Sequence, residues 1–444
     1  MGKLTFLTYS LGCRVNQAEI EEIITELTRY GFHQAKGRSP NLVLINTCVV
    51  TQKAERETRK AIRHFRRLYS KSFLVVVGCS VSAKQKMKIN LPEADLFISN
   101  EEKGITVQLI KQKFPFPLPT KKASFRDKYL HSGRKLIKIQ DGCNRFCGYC
   151  IVPYLRGKPR SKTPEEIIQR CKDAGLPAGK AGIQRCKEII LTGTNLHLYG
   201  MDLKPKTDLT ALLREILEET RIERISLSSL DPQVLNKEFA KIWINDWENG
   251  HGRLSRYWHL SLQSGSSTVL TRMGRKTDTG RLLKILQYIK RRIAQFVLRA
   301  DIIIGFPGET EKEFRETLQF IKQAKITYAH VFPFSRRPGT MADKLIGQEK
   351  WRDLPANIKR ERVKTILAAV QKIRGKEAKK LVSQVFPCLF IRKLKNNTWE
   401  TLADNSWKVL ARCENEKVLP GQIREIKILG ATDQTLNGKL LPED

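Results

Sequence analysis

Two rhythms of apolar residues alternate along this chain. Short apolar runs at 3–9, 41–46 and 73–77 have the length and β-branched content of buried strands. Between them, 17–30 and 54–68 repeat apolar positions every three to four residues, as one face of a helix does. Strand–helix–strand order predicts a doubly wound parallel sheet over residues 1–112. A Pro- and Lys-rich stretch, 113–134, predicts a linker. A second series then predicts strands at 136–139, 188–191, 224–227, 258–262, 297–304 and 329–333. Helices are expected at 164–172, 208–219, 279–294 and 310–323. This pattern predicts a partial or full βα barrel over 135–375, near whose end a long basic helix begins, at 351–380. Short alternating runs at 385–391, 407–411 and 423–428 predict a small OB-like β-barrel over 376–441. The fold class expected is therefore α/β: a parallel sheet, a βα barrel and a small C-terminal β-barrel. Ile-Gln-Arg-Cys-Lys occurs at both 168–172 and 183–187, around a Gly/Ala/Pro-rich stretch. It reads as a duplicated surface insertion, because repeat architectures need longer units and more copies.

Composition narrows the class. The 444 residues are 41% hydrophobic, ample for real cores. No apolar run reaches the ~20 residues that span a bilayer. The first ten residues are too short and polar for a secretion signal and read as a strand, so a soluble, cytoplasmic chain with no membrane contact is expected. Lys and Arg number 81 against 45 Asp and Glu, a formal charge of +36. Such a field attracts a polyanion, and nucleic acid is the natural partner. The bland alternative is a solubilising surface. Arg56, Arg59 and Arg63 share one expected helix with four further cations, and Arg156 and Arg160 lie just past a cysteine cluster. Both sets could meet phosphates.

The ten cysteines are too sparse for a disulfide scaffold, so clustered ones point to metal or catalysis. Cys143, Cys147 and Cys150 are spaced C-x3-C-x2-C after a short strand. Three thiolates on one tight loop can hold three irons of a four-iron cluster, leaving the fourth iron open to a small molecule. Structural zinc, the alternative, usually takes four protein ligands. Cys13, Cys48 and Cys79 each fall just beyond the C-terminal end of an expected strand. In a parallel sheet those ends share one edge, so three residues far apart in sequence can meet there. Gly12 and Gly78, each directly before its cysteine, suit the tight turn required. Cys171, Cys186, Cys388 and Cys413 lack ligand-like spacing and read as packed residues. Turns holding Gly193, Asn195, Gln263 and Asp301 combine small residues with polar side chains that can fix a ligand, though each can equally cap a helix or satisfy a turn.

These motifs together resemble the radical S-adenosylmethionine (SAM) methylthiotransferases over nearly the whole chain. The matching stretches are 12–17, 46–51, 78–79, the three-cysteine loop, 156–161, 191–195 with 199–200, 262–266, 305–310 and 334–340. The resemblance implies that Cys143, Cys147 and Cys150 ligate a radical-generating [4Fe–4S] cluster with SAM on its open iron. Tyr149 would pack beside the adenine, with Gly193, Asn195, Gln263 and Asp301 as further cofactor contacts. Cys13, Cys48 and Cys79 would hold an auxiliary [4Fe–4S] cluster, and the C-terminal barrel would be a TRAM module that grips RNA. A reductant such as flavodoxin or ferredoxin is implied, with the sulfur donor unknown. Residues 13–19 and 50–54 are most similar to the branch that places a 2-methylthio group on threonylcarbamoyladenosine beside the tRNA anticodon. The isopentenyladenosine and ribosomal-protein branches are the runners-up. A rival of another class is a non-catalytic iron–sulfur RNA-binding protein. Ser261 and Ser267 depart from the Pro and acidic residue common in the family, which bears on individual ligand contacts.

Overall fold

A computed structural model describes residues 4–35, 39–114, 133–175, 186–413 and 418–442. Most of the Pro/Lys-rich linker and most of the 174–186 insertion lie outside the described residues. Two compact units share the chain, and neither is one continuous segment.

The first unit takes residues 1–128, 141–159 and 335–348. Its centre is an all-parallel five-stranded sheet, ordered His33–Gln34, Thr5–Ser10, Leu42–Thr47, Phe73–Gly78, Leu96–Ile98. Leu42–Thr47 is buried at every position, because helices cover both faces of the sheet. Helices Arg14–Arg29, Gln52–Leu68 and Cys79–Met87 each begin where a strand has just ended. Thr51 caps the second by accepting a hydrogen bond from the Ala54 amide, so it starts earlier than its apolar rhythm does.

The second unit takes residues 129–140, 160–334 and 349–444. Six parallel strands form an open arc, a partial barrel. Arg134–Asp141, Glu188–Gly193 and Arg224–Leu227 pair in one sheet, and Tyr257–Gln263, Val297–Ile304 and Tyr328–Pro333 in another. Single bridges at Ile225–Leu254 and Leu230–Leu260 join the two. Side chains alternate across the arc with period two. Trp258, Leu260, Leu262, Leu298, Ala300 and Ile302 pack outward against helices. His259, Ser261, Gln263, Asp301 and His330 are half-buried on the inner face. The helix read at 351–380 spans Ala356–Lys379. Beyond it, five strands close into a barrel. Arg224, at the start of its strand, donates to the Leu402 and Pro387 carbonyls of that barrel. Arg256 pairs with Asp404 at 2.6 and 2.9 Å. These contacts seat the small barrel on the N-terminal strand ends of the arc, leaving its C-terminal ends free for ligands.

Candidate active site

All six expected ligand cysteines fall in the first unit. Strand register places Ser10 opposite Asn46 and Thr47 opposite Gly78, so Cys13, Cys48 and Cys79 leave three adjacent strands at one edge. Gly12 shows how tightly they meet. It sits at φ +102°, and a Cβ there would lie 2.8 Å from the Cys48 Cβ and 3.1 Å from its sulfur. Asn16 fixes this corner, donating to the Leu11 carbonyl at 2.8 Å and the Thr47 carbonyl at 2.9 Å. Burial, and then the neighbouring Cys79 and Cys13, push the Cys48 thiol up to about 12. Thiols that oppose one another's ionisation fit a centre whose cation permits all of them to ionise.

The loop Cys143 to Cys150 is pinned at both ends. The Cys143 amide donates to the Gly157 carbonyl at 2.9 Å, and the Cys150 amide to the Cys147 carbonyl at 2.8 Å. Gly142 cannot be another residue, since a Cβ would stand 2.0 Å from the Lys158 carbonyl oxygen. Phe146 adopts φ +48°, half-exposed, with its ring edge-on to Tyr154.

In the second unit, Asn195 caps a short turn with its side-chain oxygen, which accepts from the His197 amide at 3.1 Å. Gly193 packs on Gln140, whose side chain accepts from the Asn195 amide. Gln263 holds φ +69° on the inner face, at a register shift. Asp301 accepts from Ser229 at 3.0 Å and lies 3.0 Å from His259 Nε2, with His330 completing a trio of donor side chains within 4.8 Å. Burial raises the Asp301 carboxyl, but the His259 and Ser229 hydrogen bonds outweigh it and hold the group below its ordinary value. The histidine partners were invisible in sequence, although strand alternation puts them on this face.

Among the cations, Arg56, Arg63 and Arg160 are exposed, and Arg59 is half-exposed on Glu55. Arg156 corrects the sequence reading. It is 3% exposed and committed to Glu19, Asp141 and Asn16, so it cannot face a phosphate backbone. Cys171, Cys186, Cys388 and Cys413 are all buried.

The radical SAM superfamily model matches residues 137–321, and the uncharacterized protein family UPF0004 model matches 5–99. A threonylcarbamoyladenosine tRNA methylthiotransferase MtaB of Aquifex aeolicus is 33% identical over 402 residues, covering 86% of this chain and 92% of that protein. The chain belongs to the radical SAM tRNA methylthiotransferases. An MtaB of Bacillus subtilis is 30% identical over 96% of this chain and 94% of its own length. A tRNA-2-methylthio-N(6)-dimethylallyladenosine synthase of Clostridium botulinum is 29% identical over 98% of this chain and 96% of its own length. In fold, the chain is similar to the radical SAM methyltransferase TsrM of Kitasatospora setae (TM-score 0.52, 13% identity, 78% of each chain). The family is enzymatic, so the non-catalytic reading falls. Its cofactors are SAM and a [4Fe–4S] cluster, with a second cluster in the methylthiotransferases. No described helix is long and apolar enough to cross a membrane.

Proposed function

We propose that this enzyme adds a 2-methylthio group to N6-threonylcarbamoyladenosine beside the anticodon of tRNA. The observation that carries the substrate is the relatedness just described. Three relatives named for that nucleoside are 30–33% identical over 86–96% of this chain. Cys143, Cys147 and Cys150 hold the SAM-binding cluster, and Cys13, Cys48 and Cys79 the auxiliary one. The first cluster with SAM supplies a carbon-centred radical able to attack an unactivated C–H bond. The chain's own side chains bind and orient. Tyr149 flanks the adenine of SAM. Gln263, Asp301 and the Gly193–Asn195 turn offer polar groups to SAM or the nucleoside, Asn195 through its side-chain amide, of which the cap uses only the oxygen. Arg56, Arg59, Arg63 and Arg160 contact phosphates, and the closed C-terminal barrel serves as a TRAM-like RNA grip. A one-electron donor such as flavodoxin or ferredoxin reduces the enzyme in the cytoplasm.

Nucleoside mass spectrometry of tRNA from cells lacking the protein tests the substrate. Loss of the methylthiolated threonylcarbamoyladenosine alone is expected. Loss of the isopentenyl counterpart instead would overturn the choice.

A further inference from the structure

A fully buried arginine is costly unless every direction of its guanidinium finds a partner. Arg156 ends the short helix Val152–Arg156, six residues past Cys150. It donates to Glu19 Oε1 at 2.8 Å, Asp141 Oδ1 at 2.7 Å, Asn16 Oδ1 at 2.7 Å and Glu19 Oε2 at 3.2 Å. Its partners flank both cysteine sets. Asn16 and Glu19 follow Cys13 on one helix, and Asp141 precedes Cys143 by two residues. Lys103, itself buried, donates to the same Glu19. Because Arg156 takes the Asn16 oxygen, the Asn16 amide nitrogen must face the Leu11 and Thr47 carbonyls. One hydrogen-bond chain therefore runs from Arg156 to the turns that present Cys13 and Cys48. Asn100 makes a parallel tie, from the Leu155 carbonyl at 3.2 Å to the Cys79 sulfur at 3.5 Å.

The charges sharpen the point. Lys103 and Arg156 are balanced by Glu19 and Asp141 while the cysteines stay protonated. Metal binding strips the thiol protons, so three thiolates around an oxidised four-iron core leave the loaded site anionic. One-electron reduction makes it more so. Arg156 lies beside this site: Asn100, which donates to the Cys79 sulfur at 3.5 Å, also donates to the carbonyl of Leu155, the residue just before Arg156. In a buried setting a fixed cation stabilises the more negative redox state, and a fixed anion disfavours it.

We propose that Arg156 is a positioning residue of the auxiliary site: it braces the Cys13 and Cys48 turns through Asn16, and its charge, opposed by that of Glu19, sets the reduction potential of the cluster held there. This rests on assigning Cys13, Cys48 and Cys79 to that cluster, which iron analysis tests separately. Cys48→Ala must lose about four irons per chain, and if it does not, the assignment fails first.

The test is a redox titration of the full-length, anaerobically reconstituted enzyme followed by electron paramagnetic resonance. Added SAM perturbs the signal of the open-iron cluster and so separates it from the auxiliary one. Arg156→Gln is expected to move the auxiliary midpoint to more negative potential, and Glu19→Gln to more positive potential. Arg156→Lys, which keeps the charge, should stay nearest the wild type. A purely structural role has no reason to shift the two neutral variants in opposite directions. Shifts of the same sign, or none, in variants that load both clusters would overturn the proposal. If Arg156→Gln fails to load, Glu19→Gln decides alone: a positive shift supports the charge role, and an unchanged midpoint refutes it. Auxiliary clusters absent from all three variants would likewise refute it in favour of bracing only.

Discussion

Gly12→Ala should empty the auxiliary site and spare the rest of the enzyme. Two separate costs act at this position. The backbone sits at φ +102°, where a residue with a Cβ is strained by about 1–3 kcal/mol. The new methyl would also stand 2.8 Å from Cys48 Cβ and 2.8 Å from Asn16 Nδ2, whereas ordinary contacts begin at 3.4 Å. Something must then move by roughly 0.6 Å, and overpacking of this kind costs about 1–3 kcal/mol. Both neighbours matter: one is a proposed ligand, and the other orients the turns of two proposed ligands. The total, about 2–6 kcal/mol, falls on the geometry that binds iron. Gly250→Ala is the control, since φ there is +76° and no atom lies within 4 Å of the added carbon. It bears the strain alone, about 1–3 kcal/mol. Iron per chain after anaerobic reconstitution is the assay, with a thermal melt alongside. Wild type and Gly250→Ala should hold about eight irons, and Gly12→Ala about four. Full loading of Gly12→Ala, with a melt no lower than that of the control, would refute the packing argument.

Two further outcomes can be measured directly. Burial raises the Glu188 carboxyl, but Arg134, Arg224 and the Ser226 hydroxyl outweigh it and hold the group below its usual value. Its ionised form therefore adds stability above the unfolded value of about 4.3, and this is lost as pH falls through the lower folded value. The stability gap between wild type and Glu188→Gln, from urea melts, should be widest near neutrality and shrink below about pH 4; a gap independent of pH would count against it. Arg56→Ala and Arg63→Ala should each weaken tRNA binding and lower the slope of log affinity against log salt by about 1, read by filter binding across salt concentrations, while an unchanged slope would remove that residue from the interface.

Legibility varied with how local the cause was. The strand at 42–47 was readable because four consecutive apolar residues, 42–45, between two helices have few other homes. Cys48 and Cys79 were readable with it, since a residue directly after a parallel strand lies on the binding edge whatever surrounds it. Asn195 was open between ligand contact and cap, and its side-chain oxygen does cap Leu196–Leu198, which only the folded turn could show. Arg156 misled because its neighbours in sequence, Lys158 and Arg160, are exposed, and nothing local marks one cation of three as buried. Helix Lys237–Glu248 and strands Thr398–Ala403 and Leu436–Leu440 went unread, because short amphipathic segments lean on partners distant in the chain.

The order of residues was enough for the succession of strands and helices, the two cysteine sets and the attraction to a polyanion. Each of these follows from spacing or from a sum, neither of which needs a partner in space. The pairing of Arg156 with Glu19, 137 positions away, and of Asp301 with His259 and His330 emerged only on folding. Such contacts depend on where a side chain ends up pointing and on what stands opposite it. Long-range packing sets both, and no local pattern encodes them.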